Sequence, residues 1–199
     1  MLDHFNRNIN YLRISVTDRC NLRCRYCMPE EGIELMKHEN ILSFEEIVEV
    51  VKVGVSKGIN RLRLTGGEPL VRKGIVSLVG MLTQIEGIEE VAMTTNGTLL
   101  AEYATDLASA GLRRVNISID TLDPEKYREL TIGGDINAVL KGIKAAKEAG
   151  LSPIKLNCVV TNSSADPNAK AIAIFARENG LKVQFIHLMN LETGQFSKV

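Results

Sequence analysis

The sequence predicts an α/β fold, a partial, TIM-like (β/α)6 barrel. Two observations carry the prediction. Short β-branched runs alternate six times with longer amphipathic stretches, and the connections between them are short. Strictly alternating βα units give a parallel sheet with its helices outside. A closed eight-unit barrel typically needs about 250 residues, whereas this chain has 199, so six units leave the barrel open. A flat, doubly wound sheet shares the same alternation and stands as the rival.

The elements follow in order. Residues 12–16 (LRISV) read as the first strand and lead into a cysteine-rich loop. A helix over 43–58 opens with Ser43 and, three residues later, Glu46, the signature of a capping box. Residues 61–65 (RLRLT) form the second strand and 71–86 the second helix. The third strand, 90–94, runs into the turn signal Thr95-Asn96-Gly97. A helix over 98–110 ends at Gly111, and 113–119 (RRVNISI) is the fourth strand. Asp123-Pro124 starts a helical turn, and a helix over 135–149 ends at Gly150. Residues 153–161 are the fifth strand, 166–179 a helix ending at Gly180, and 182–188 the sixth strand. Residues 191–199 match no element.

Composition narrows the function classes. Hydrophobic residues make up 45% and charged residues 24%, as in an ordinary globular domain. Lys plus Arg and Asp plus Glu are 24 each, and a net charge of zero argues against a broad basic surface for nucleic acid. No apolar run reaches the roughly 20 residues needed to span a bilayer. Residues Met1 to Arg7 carry no apolar signal core, so a cytoplasmic location is expected. Without a linker or repeat, residues 1–199 are expected to form one domain. Three of the four cysteines fall within eight residues, which is not the layout of a disulfide framework.

Those three form the motif Cys20-x3-Cys24-x2-Cys27. Three thiolates on one loop can hold three corners of a four-iron four-sulfur cubane. The fourth iron is left to a small molecule, and the amino and carboxylate groups of S-adenosylmethionine (SAM) suit it. Structural zinc is the competing reading, but it usually takes four ligands in paired units. Cys158 lies 131 residues beyond Cys27 in an apolar strand, where it reads as a small hydrophobe.

Gly66-Gly67-Glu68-Pro69 follows the second strand directly. Two glycines let a backbone approach a ligand closely, Glu68 can take an ammonium group, and the turn suits the methionyl end of SAM. Side chains alternate along strands. Leu12, Ile14 and Val16 share one face and Arg13, Ser15 and Thr17 the other; the same split sets Leu62 and Leu64 against Arg63 and Thr65. Val91 and Met93 oppose Thr94, Val115 and Ile117 oppose Asn116 and Ser118, and the fifth strand's apolar set opposes Lys155 and Asn157. With the apolar sets toward the helices, the interior is polar and holds Arg13, Arg63 and Lys155, which points to an anionic substrate, a nucleotide for instance. The alternative is that these cations pair with inward carboxylates such as Asp120.

These stretches carry a resemblance. INYLRISVTDRCNLRCRYCMP at 9–29, RLRLTGGEPLVRKGI at 61–75, TTNGTLL at 94–100, RRVNISIDTLDPEKY at 113–127 and PIKLN at 153–157 closely resemble the radical SAM GTP 3′,8-cyclases, the molybdenum cofactor biosynthesis protein A family. The resemblance implies Cys20, Cys24 and Cys27 as ligands of one cluster. It implies that Tyr26, Gly67, Ser118 and Met189 contact SAM, with Gly66 and Glu68 in the same turn. Arg13, Arg63, Thr94 and Lys155 would contact GTP. The implied reaction takes a hydrogen from the GTP ribose and cyclises the nucleotide; an external electron donor is implied, and a homodimer is an open expectation. Two departures qualify this. The family carries three further cysteines in a C-terminal segment, and this chain has none after Cys158, so a truncated chain able to cleave SAM but not to complete GTP turnover is expected. Gln184 and His187 stand where the family usually has arginine and glutamate, which keeps open a paralogue acting on a peptide or another small molecule.

Overall fold

The computed structural model describes residues 2–27, 29, 32–160 and 166–188. Among the described residues six strands form one sheet: β1 (Tyr11–Ser15), β2 (Arg61–Thr65), β3 (Glu90–Thr95), β4 (Arg114–Ser118), β5 (Ile154–Val160) and β6 (Lys182–His187). They pair in chain order, every pair parallel. This order decides between the two expected sheets. A doubly wound sheet reverses its strand order at a switch point. An order that never reverses sends every right-handed crossover to the same side, so the helices share one face and the other face becomes the interior. β1 and β6 are the two ends of the order, and the barrel is open between them.

The helices are α1 (Phe44–Ser56), α2 (Ile75–Thr83), α3 (Leu100–Ser109), α4 (Pro124–Thr131), α5 (Ile136–Glu148) and α6 (Pro167–Asn179). The expected capping box of α1 is complete: the Ser43 hydroxyl accepts from Glu46 N–H and the Glu46 carboxylate accepts from Ser43 N–H. Asp123, Asp135 and Asp166 cap α4, α5 and α6 through their carboxylates. Helix α2 is shorter than the predicted 71–86. Pro69–Val71 makes a 3-10 turn, and Gly74 is left-handed (φ 81°), a conformation through which a right-handed helix does not run. Instead of the single helical turn expected after Asp123-Pro124, α4 is a full eight-residue helix. A further 3-10 turn, His38–Asn40, lies where no element was predicted.

The core sits between sheet and helices. Leu62, Leu64, Val91, Met93, Val115, Ile117, Leu156 and Cys158 are buried, as alternation requires. Each large aliphatic stabilises the fold by about 1.5–3 kcal/mol, and truncating one, as in Leu64→Ala, costs about 2–5 kcal/mol. Cys158 packs as the expected hydrophobe, and burial pushes its thiol up to about 12.

Candidate active site

The cysteine loop leaves the C-terminal end of β1, the end at which barrel enzymes place their chemistry. Cys20, Cys24 and Cys27 are all free thiols, the first two half-buried and the third exposed. The loop is docked on the end of α4. Arg23 N–H donates to Thr131 O (3.1 Å) and Arg25 N–H to Leu130 O (3.0 Å), while Arg25 Nε donates to Glu129 O (3.1 Å). The last carbonyls of a helix lack partners within it, and here the loop supplies them. Arg23 also folds back onto the carbonyls of Cys20 and Leu22.

The three thiols are close enough to interact. Burial, then the neighbouring charges of Cys20 and Cys27, push the Cys24 thiol up to about 11. Among the described residues no three His, Cys, Asp or Glu side chains converge as ligands of a single metal ion. Three free thiols on one loop are the soft donor set a cubane takes, its corners spreading three thiolates over three irons. The donor set therefore fits an iron–sulfur cluster.

Tyr26 ties the loop to the sheet. Its hydroxyl donates to Asp120 Oδ2 (2.6 Å), and Asp120 Oδ1 accepts from Val159 N–H (2.7 Å). Burial, followed by the adjacent carboxylate, holds the Tyr26 hydroxyl well above its ordinary range, and burial raises Asp120 in turn. Asp120 thus serves Tyr26 and β5 and is not the partner of the interior cations.

The glycine turn holds the chain's own backbone close. A Cβ on Gly66 (φ 148°) would lie 2.4 Å from Thr17 O, and one on Gly67 2.3 Å from Arg19 O. Gly67 N–H donates to Thr17 O (2.7 Å) and Glu68 N–H to Arg19 O (2.8 Å), so the turn sets the position of the residue before Cys20. Glu68, expected to take an ammonium, is 1% exposed and already accepts from Leu70 N–H, the Thr95 hydroxyl and Asn96 N–H. Burial raises its pKa, against the lowering effect of these three bonds.

The polar face lines the interior as alternation predicts. Register pairs Arg13 with Arg63, Asn116 with Lys155, and Ser118 with Asn157. Thr94, Ser118 and Lys155 are half-buried; Met189 lies outside the described residues. Arg63 lies over the Tyr11 ring (5.5 Å), and burial lowers its pKa. Lys155 Nζ donates to Gln184 Oε1 (3.3 Å). Among the described residues none of Arg13, Arg63 and Lys155 forms an ion pair. Arg63 Nε, Arg114 Nε, Asn116 Oδ1 and Asn157 Oδ1 are buried without a protein partner. Buried polar atoms are normally satisfied, so these four have bonding capacity that water or a polar ligand can take up. Sequence reasoning passed over Arg114, which pairs with Glu90 (2.8 Å), although alternation along 113–119 places it beside Asn116. It also passed over α4 as the loop's platform, for which no local signal exists.

A model of the radical SAM superfamily matches residues 14–166, which hold the cysteine loop, the glycine turn, the end of β1 and the whole of β2 to β5. The chain belongs to the radical SAM superfamily. Among curated relatives it is 53% identical over 194 residues to a GTP 3′,8-cyclase of Peptoclostridium acidaminophilum, a match covering 98% of this chain and 60% of that one. It is 51% identical over 199 residues to a GTP 3′,8-cyclase of Thermodesulfovibrio yellowstonii, covering 100% and 62%. This radical SAM chain therefore spans about three-fifths of the length of the curated relatives it matches. Solved structures share the fold. Streptococcus suis SuiB bound to S-adenosylmethionine superposes with a TM-score of 0.76 at 21% identity, over 95% of this chain and 43% of that one. An AdoMet-bound structure of anSMEcpe gives 0.70 at 22%, over 90% and 51%. No described helix of this radical SAM chain is long and apolar enough to cross a membrane.

Proposed function

We propose that residues 1–199 form the radical SAM core of a GTP 3′,8-cyclase-type lyase of molybdenum cofactor biosynthesis. The observation that carries the reading is the set of cations Arg13, Arg63 and Lys155 on the polar strand face, none of them in an ion pair among the described residues, in a chain about half identical to proteins of that name. Cys20, Cys24 and Cys27 hold one four-iron four-sulfur cluster, leaving one iron for SAM. A cluster held there would supply the single electron that splits the sulfonium of SAM, the chemistry by which SAM would take a hydrogen atom from the substrate.

The chain's own residues bind and orient. Gly66 and Gly67 shape the turn beside SAM, and Glu68 holds that turn against β3. Tyr26, anchored by Asp120, together with Ser118 and Met189, contacts SAM. Arg13, Arg63 and Lys155 neutralise the triphosphate of GTP, and Thr94 adds a hydroxyl from the next strand. Charge-assisted hydrogen bonds from guanidinium to phosphate are the strong ones. An external one-electron donor is required.

A second reading, a radical SAM enzyme acting on a peptide or another small molecule, is favoured by Gln184 and His187, which stand where the family usually carries arginine and glutamate; Gln184 is neutral, sits in register with Asn157 and is bonded to Lys155. The experiment is anaerobic reconstitution followed by SAM and dithionite, with and without GTP, reading 5′-deoxyadenosine and methionine by mass spectrometry. Deoxyadenosine that rises with GTP supports the first reading. Deoxyadenosine indifferent to GTP supports the second. None from a fully loaded chain marks a catalytically incomplete fragment.

A further inference from the structure

The turn after β3 reaches the cysteine loop. Asn96 N–H donates to Glu68 Oε2 (2.6 Å), which fixes its backbone. Its side-chain oxygen accepts from Thr98 N–H (3.0 Å) and from the Thr98 hydroxyl (2.7 Å). Its Nδ2 donates to Asn21 Oδ1 (2.8 Å), and Asn21 Nδ2 donates back to Thr98 Oγ1 (2.9 Å). This closed ring sets the amide's orientation: with the oxygen taken by Thr98, the NH2 end must face the loop. Asn96 Nδ2 also lies 3.9 Å from Cys20 Sγ, a long hydrogen bond to sulfur, and Leu22 N–H approaches the same sulfur at 3.4 Å. Cys20 Sγ thus has two N–H donors from other residues, Leu22 and Asn96.

Hydrogen bonds to cluster sulfurs help set the reduction potential, because they stabilise the more negative, reduced state. Resting on the proposed cluster at Cys20, Cys24 and Cys27, we infer that Asn96 is a positioning residue for the Cys20 corner, and that its side-chain amide raises the potential at which the cluster accepts its electron. Glu68 takes part through the Asn96 backbone, so the glycine turn and the β3 turn act together on one cysteine.

The test is an EPR-monitored redox titration of the anaerobically reconstituted chain without SAM, alongside iron and sulfide content and circular-dichroism melting. Asn96→Ala and the near-isosteric Asn96→Leu both remove the donor. The expected result is a lower midpoint potential and altered g values in both variants, at unchanged iron per chain. Asn21→Ala, which leaves the Asn96 donor on Cys20, keeps the wild-type potential. Equal potentials at full loading would overturn the inference. So would an Asn21→Ala shift as large as that of Asn96→Ala, since loop packing would then be the cause. If both Asn96 variants stay folded but load no iron, Asn96 belongs to cluster assembly and not to tuning. A wild-type chain that binds no cluster removes the inference together with the reading beneath it.

Discussion

Adding one methyl group at Gly67 tests how the loop is built. A Cβ there would stand 2.3 Å from Arg19 O, 2.6 Å from Arg19 C and 2.9 Å from Asp18 O. All three are backbone atoms, so no side chain can swing aside; the turn and the start of the cysteine loop must separate. Forced overpacking costs about 1–3 kcal/mol. The two hydrogen bonds joining the segments, Gly67 N–H to Thr17 O and Glu68 N–H to Arg19 O, contribute about 1 kcal/mol each. Gly67→Ala should therefore cost about 3–5 kcal/mol, which for a chain of this size lowers Tm by about 6–20 °C. Circular-dichroism melting reads the loss, and iron content after reconstitution reads the displaced Cys20. Gly80→Ala is the internal control. It lies within α2, has nothing within 4 Å of the added Cβ, and should be neutral or stabilising by about 0.5–1 kcal/mol. A Gly67→Ala chain that melts with the wild type and loads full iron would falsify the close-approach argument.

Three further predictions follow from the site. Alanine at Cys20, Cys24 or Cys27 abolishes iron binding, while Cys158→Ala keeps it at a cost of about 1 kcal/mol from lost packing; iron assay and melting separate the two classes. Arg63→Met removes a charge-assisted contact worth about 1.5–3 kcal/mol, so GTP binding should weaken about 10- to 150-fold by calorimetry; Arg7→Met, an exposed residue paired with Asp3, should leave it unchanged. Asp120 is raised above its ordinary value of 3.8 by burial, so its contribution to stability is present below that pH and lost as pH rises through the raised folded value. Asp120→Asn keeps an acceptor for Val159 and a partner for Tyr26 but cannot titrate, so melting of the iron-free variant should lose less stability than wild type as pH rises from about 4 toward neutrality. Parallel pH profiles would refute that role for Asp120.

The site was legible in the sequence where chemistry is local. Cys20, Cys24 and Cys27 sit within one loop, the Ser43–Glu46 capping box spans one turn, and two-residue alternation placed Arg63 and Lys155 opposite the buried Leu64 and Leu156. Alternation holds because each βα strand has one face committed to helices. What the sequence alone could not determine is pairwise in space. Only the tertiary structure ordered the strands without reversal, which chose the open barrel over the doubly wound sheet. Only it set α4 under the cysteine loop, 104 residues away at Arg25–Glu129, and joined Tyr26 to Asp120 across 94. The glycine pair shows the division most directly. Gly66 and Gly67 predict a close approach, but what approaches is the chain's own backbone at Thr17 to Arg19, because the β1–β2 register brings both strand ends to the same level.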